Sequence, residues 1–154
     1  MRKKLTVLIL ILVWLAMLLV SPSKAEDTIW VVCRPGSSVN IRSRASGRSE
    51  IVGYADPGDC FETDGITSRG FIHVYASIEA MEGWISLGYV VYDEPVRVDE
   101  MRTIEANGKV KVREKVGGKR IGWLHPGDRV MVYYIAEWCV TSAGYVRFEF
   151  IGGE

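Results

Sequence analysis

From residue 28 onward, apolar and polar positions alternate in short runs, and Gly, Pro, Asp and Asn stand between the runs. No stretch sustains the helical period, whereas alternation with period two marks half-buried strands. The runs Trp30-Val31-Val32-Cys33, Val39-Asn40-Ile41-Arg42, Ile51-Val52-Gly53-Tyr54, Cys60-Phe61-Glu62-Thr63 and Phe71-Ile72-His73-Val74-Tyr75 are the predicted strands. Arg34-Pro35-Gly36, Asp56-Pro57-Gly58-Asp59 and Asp64-Gly65 are turns, because proline presets φ and glycine tolerates the left-handed region. Residues 43–50 form a polar loop rich in Ser, and residues 76–82 a second loop. Strands so spaced predict a small all-β barrel or sandwich.

The pattern occurs twice. Gly83-Trp84-Ile85-Ser86-Leu87-Gly88-Tyr89-Val90 is echoed by Gly144-Tyr145-Val146-Arg147-Phe148-Glu149-Phe150-Ile151 at an offset of 61 residues. Val39-Asn40-Ile41-Arg42 returns as Val110-Lys111-Val112-Arg113 at an offset of 71, and Pro57-Gly58-Asp59 as Pro126-Gly127-Asp128 at 69. The length differences fall in loops, as they do when a shared scaffold carries different surfaces. Two modules follow, at 28–92 and 101–154, with the acidic, proline-containing stretch 93–100 as linker.

Alternation also sorts core from surface. Val130 and Val132 point inward, so by the repeat Phe61 and Thr63 do too, leaving Cys60 and Glu62 outside. Ile72 and Val74 are a core pair, which puts Phe71, His73 and Tyr75 on the opposite face. Rings gathered on an exposed face mark a contact surface. Trp84, repeated as Tyr145, reads mainly as the ring that closes each barrel.

The first 25 residues stand apart. Arg2-Lys3-Lys4 precedes an uncharged run of 16 residues from Leu5 to Val20, and Ser23-Lys24-Ala25 sets small residues at −3 and −1 of a cleavage site. This is the layout of a signal peptide, here 1–25, and predicts a secreted or cell-surface protein. An uncleaved anchor is the alternative, although a bilayer core takes about 20 apolar residues. Removing Arg2, Lys3, Lys4 and Lys24 leaves 15 basic residues against 19 acidic ones. The balance is −4 over 26–92, −3 over 93–100 and +3 over 101–154. A net negative chain excludes nucleic acid as the main partner. Three cysteines leave one unpaired within a chain. Cys33–Cys60, Cys33–Cys139 and Cys60–Cys139 are all open, and Cys33–Cys60 suits a buried, free Cys139.

Val-Asn-Ile-Arg at 39–42, Ile51-Val52-Gly53, Gly58, the aromatic-led strand at Phe71, Gly83-Trp84-Ile85 and Tyr89-Val90 resemble a bacterial SH3 (SH3b) domain. The second copy is similar through Val110-Lys111-Val112-Arg113, Gly122, Gly127, Trp138, Gly144-Tyr145-Val146 and Phe150-Ile151. It departs from the pattern in Lys111 for Asn and Tyr145 for Trp, so the two modules need not share a ligand. The resemblance implies two tandem small SH3-like partly open β-barrels in an exported protein. It also implies recognition of peptidoglycan cross-links or stem peptides, often beside a separate hydrolase domain.

The candidate ligand groove is lined by Tyr54, Phe71, Tyr75, Trp84 and Tyr89, with His73 on the same face and Asp56 and Glu62 at its edge. Flat rings offer apolar area and carboxylates hold an amine, which suits a peptide. The second module offers Trp123, His125, Tyr133 and Trp138, and Lys109, Lys111, Lys115, Lys119 and Arg120 surround its first loop. These cations would meet an acidic envelope polymer, the acidic first module, or solvent alone. No catalytic set is expected: Cys139 falls at the core position of Ile72, where a thiol is inert. Neither histidine sits at metal-ligand spacing, and no cofactor is implied. Two functions stay open, a cell-envelope peptide binder and a protein-interaction subunit of an extracellular complex.

Overall fold

The computed structural model describes residues 27–76 and 81–153. The expected signal segment at 1–25 and positions 77–80 lie outside the described residues. The described chain is all-β. The first sheet contains β1 (Asp27–Val31), β2 (Val39–Arg42), β3 (Ile51–Ala55), β4 (Cys60–Thr63), β5 (Thr67–Ser68), β6 (Phe71–Ala76), β7 (Met81–Ser86) and β8 (Val90–Val91), with a 3-10 turn at Leu87–Tyr89. Its order is β3-β2-β7-β6-β4-β1-β8, and β5 pairs with β6. The second sheet contains β9 (Val96–Thr103), β10 (Val110–Arg113), β11 (Arg120–Leu124), β12 (Arg129–Ile135), β13 (Trp138–Thr141) and β14 (Tyr145–Arg147), followed by a 3-10 turn at Phe148–Phe150. Its order, β11-β10-β14-β13-β12-β9, repeats the β3-β2-β7-β6-β4-β1 part of the first sheet, and β5 and β8 have no counterpart strand. A bridge from Ile104 to Ile151 stands where Val31 pairs with Val90. Both are open sheets rather than closed barrels.

The repeat extends to single hydrogen bonds. Gly58 N–H donates to Val31 O at 2.9 Å, and Gly127 N–H to Ile104 O at 2.9 Å. The Asp59 carboxylate accepts from Asp56 N–H at 2.8 Å, and Asp128 from His125 N–H at 2.7 Å. Each Pro-Gly-Asp turn is therefore closed by its own aspartate. Arg42 and Arg113 each donate from Nη1 to a carbonyl of the following loop, Ser49 O at 2.7 Å and Gly118 O at 2.6 Å. The glycine heading each organising stretch has a steric cause. A Cβ on Gly83 would lie 2.6 Å from Ile41 Cγ2, and one on Gly144 2.7 Å from Arg113 O. Only glycine lets these strands cross so close to β2 and β10.

Each module has its own core. Ile29, Val31, Ile41, Ile72, Val74 and Ile85 fill the first, and Val110, Val112, Val130, Val132, Cys139 and Val146 the second. Phe61 and Thr63 point inward as expected. Thr63 is tolerated there because its hydroxyl donates to His73 O at 2.6 Å and accepts from Gly65 N–H at 3.1 Å.

The stretch expected as linker departs from the reading. Val96 to Glu100 belong to β9, which pairs with β12 from Val96↔Ile135 to Thr103↔Arg129. Pairing with β12 and the packing of Val98 on the second core outweigh Pro95 and the carboxylates. A bulge at Asp99, where φ is +51°, bends the strand, and Arg97 Nε donates to the Asp99 carboxylate at 2.6 Å. The extension carries Tyr134 to the first module. There Val32 and Val91 meet Tyr134, Trp138, Val140 and Tyr145 in a third apolar cluster, with Trp30, Tyr89 and Tyr133 packed around it. Tyr145 O–H donates to Val32 O at 3.0 Å and Val116 N–H to Gly88 O at 2.9 Å across this seam.

The expected Cys33–Cys60 bridge is absent: all three cysteines are free. Trp30 lies across from Cys60. Cys33 is three residues further on, two past the end of β1, and so has no place in the register beside Cys60. Cys33 is also buried while Cys60 is exposed.

Candidate functional site

Residues directly opposite on antiparallel strands share a face. On the first sheet Arg42 pairs with Trp84 and Trp84 with His73, so the three lie side by side on the outer surface. Tyr75 stands opposite Glu82 on one side and Glu62 on the other, and Phe71 opposite Ser86. Phe71, His73, Tyr75 and Trp84 thus form one half-buried aromatic ladder. The core role expected for Trp84 is corrected here. Gly83 and Ile85 are buried, so strand alternation turns Trp84 outward.

His73 organises the middle of the ladder. Its Nδ1 lies 3.0 Å from Asp64 Oδ2 and its Nε2 3.0 Å from Glu82 Oε1, so both ring nitrogens face carboxylates. Its ring centroid is 5.1 Å from that of Trp84 and 6.2 Å from that of Tyr75, both tilted. Contacts of this kind hold rings in place without removing them from solvent.

The ladder leads into a cleft of about 500 Å³ between the modules. Asn40, Arg42, Phe71, Ser86 and Tyr89 form the first-module wall, and Glu114, Ile121, Gly144 and Tyr145 the second. Arg34 lies at the seam, with Nη2 3.3 Å from Ser142 O. The Tyr89 and Tyr145 rings meet edge to face at 6.5 Å. Burial, followed by the charges of Cys33 and Tyr89, pushes the Tyr145 phenol above its ordinary value. The cleft thus pairs aromatic walls with guanidinium groups on one side and a carboxylate on the other.

The groove expected from the sequence is therefore divided. Phe71 and Tyr89 line the cleft, while His73, Tyr75 and Trp84 continue outside it beside Glu62. Tyr54 projects from the edge strand β3 at 64% exposure, and Asp56 sits in the turn closed by Asp59. In the second module Trp123 is exposed with Arg120 4.7 Å above its ring, and His125 Nδ1 lies 3.6 Å from Asp128. Tyr133 and Trp138 go to the seam. The residues missed by sequence reasoning are Arg34, Arg42, Asn40 and Glu114. Arg42 and Asn40 fall on outward positions of a predicted strand, which is a usable signal. Glu114 and Tyr145 join the site only because the modules dock.

No family model matches the chain, and no curated protein matches it. Among solved structures it is similar to NlpC1 from Trichomonas vaginalis, at 12% identity and a TM-score of 0.39 over 87% of this chain and 48% of that one. NlpC2 from Trichomonas vaginalis gives 12% identity and 0.38 over 85% and 49%. The chain spans about half the length of each.

Burial pushes the thiols of Cys33 and Cys139 up to about 11, with Asp56 and Asp59 adding to the shift at Cys33. Both are poor nucleophiles at neutral pH. Among the described residues no group of three or more His, Cys, Asp or Glu is arranged to hold a metal ion.

Proposed function

We propose that this is an exported, non-catalytic binding protein of two SH3b-like modules that takes a peptide-containing ligand of the cell envelope, such as peptidoglycan. The observation that carries the reading is the continuity of the aromatic ladder with the inter-module cleft. An extended peptide laid along Tyr75, His73 and Trp84 reaches Phe71, and its end enters the cleft beside the paired Tyr89 and Tyr145 rings. A cleft of this volume is of ligand size, and a few placed polar groups orient what enters it. Arg34 and Arg42 suit a carboxylate, and Glu114 with the outer Glu62 and Glu82 suits an amine. The burial of Cys33 and Cys139, which leaves both thiols poor nucleophiles, supports binding over hydrolysis at those two thiols.

Sedimentation of residues 26–154 with purified sacculi tests the reading. The protein is expected in the pellet, and protein left in the supernatant at low salt removes the proposal. A protein partner is the second reading. It is favoured by the second module, where Trp138, Val140 and Tyr145 occupy the places of Phe71, His73 and Trp84 and are buried against protein. Crosslinking from Tyr75 that recovers a defined protein would favour it over an envelope ligand.

A further inference from the structure

Of the basic residues around the first loop of the second module, most spread apart. Lys115 turns to the seam beside Gly88, and Arg120 stacks on Trp123. Lys109 and Lys111 do something else. They converge with Arg113 and with Arg147, which comes from a separate strand, on a concavity of about 290 Å³. The convergence follows from register. Lys111 and Arg113 occupy outward positions of β10, Arg113 pairs with Tyr145, and Arg147 is two residues further along β14 on that same face. Trp138 pairs with Arg147 and has two guanidinium groups against its ring, that of Arg113 at 6.0 Å and that of Arg147 at 5.6 Å. The two arginines are thus held by a ring buried at the seam, and Arg113 also by Gly118 O.

No acidic residue lines the concavity. Arg147 alone has carboxylates nearby, Glu149 at 3.5 Å and Glu137 at 3.7 Å, both exposed. Lys109 and Lys111 have no carboxylate partner among the described residues, and both side chains are exposed. Next to Lys111 across β10 and β11 stands Trp123, 42% exposed, a flat ring at the rim. Four convergent cations, of which only Arg147 has carboxylate partners and two are pre-set by a buried ring, favour an anion more strongly than a scattered solvated face does. The adjacent Trp123 ring, 42% exposed with Arg120 over one face, adds a surface on which a sugar stacks from the other.

We propose that this pocket is a second binding site, distinct from the inter-module cleft, and that it takes an anionic glycan. The anionic groups pair with Lys109, Lys111 and the fixed arginines, and a neighbouring sugar ring rests on Trp123. The site uses none of the residues of the peptide cleft, so the two readings stand or fall separately.

The test titrates residues 26–154, following the Trp123 indole by NMR, with an oligogalacturonate, a phosphodiester-linked glycan oligomer and a neutral glucan of equal length. Lys109→Glu/Lys111→Glu is titrated alongside. Binding of either anionic oligomer, weakening as salt rises, and about tenfold loss in the double variant are expected. Which oligomer binds identifies the source of the anionic group. The thermal midpoint of the variant should stay unchanged, because both lysines are exposed. Absence of binding by both anionic oligomers at low salt, equal binding of the neutral glucan, or full affinity in the double variant overturns the proposal. Preference for a single-stranded DNA oligomer of the same charge over both glycans overturns it too.

Discussion

Trp84 and Tyr145 occupy equivalent places in the two modules, yet the fold gives them different neighbours, and this difference is open to measurement. Tyr145 is 4% exposed, packs with Val32 and Val91 across the seam, and donates to Val32 O at 3.0 Å. Truncation to alanine removes a buried aromatic ring, about 3–5 kcal/mol, and a buried hydrogen bond, about 1 kcal/mol. The expected loss is therefore about 4–6 kcal/mol. Trp84 is half-buried on the outer face and its nearest ring is that of His73 at 5.1 Å. Losing that pair and part of its apolar cover costs about 1–2 kcal/mol. Urea unfolding of residues 26–154 and of the two variants, analysed at a common m value, gives both numbers. Equal losses at the two positions, or a larger loss at Trp84, would refute the assignment of outer face and seam.

Further predictions concern the thiols, the pH profile and the turns. At about pH 8, a disulfide reagent should modify Cys60 quickly and leave buried Cys33 and Cys139 unreacted until unfolding; fast reaction of more than one thiol would contradict their burial. Cys33, Cys139 and Tyr145 all have raised values in the fold, so the neutral forms are favoured. Their contribution is full below the ordinary values of 9.0 for the thiols and 10.0 for the phenol, and declines above them, for the thiols as pH rises through about 11. Stability should accordingly fall in alkali, and Tyr145→Phe should flatten that fall; an unchanged slope would exclude the phenol as a contributor. Asp59→Ala and Asp128→Ala each remove one turn-closing bond and should cost about 1 kcal/mol. Their effects should add in the double variant, since they lie in separate modules, and calorimetry checks both points.

Most strands and both cores are written plainly in the apolar alternation, although β1 runs Asp27–Val31 rather than Trp30–Cys33 and the short β5 has no apolar run to mark it. Val39–Arg42, Cys60–Thr63 and Val110–Arg113 begin and end where the runs do. The outward turn of Trp84 is also legible, because an inward Ile85 forces it, but the size of the ring and its repetition suggest a core role instead. The seam is not legible in this way. The proline and carboxylates at 93–100 read as linker, and only pairing with β12 shows Val96 to Glu100 as strand. Tyr134, Trp138 and Tyr145 look like ordinary barrel residues until the docking of one module on the other buries them. The site inherits this division. The ladder belongs to one strand pair and follows from local pattern, whereas the second wall of the cleft is set by contacts between residues more than a hundred positions apart, as Tyr145 and Val32 are. The disulfide expectation fails for a related reason, since strand register places Trp30, not Cys33, beside Cys60.

The central claim is that ligand is held jointly by the aromatic ladder and the cleft between the modules. The most direct test is an NMR titration of residues 26–154 with a soluble muropeptide. The account predicts shifts at Phe71, Trp84 and Tyr89 together with Glu114 and Tyr145, saturating in parallel and abolished by Phe71→Ala. Shifts confined to one module, or none at millimolar ligand, would contradict it.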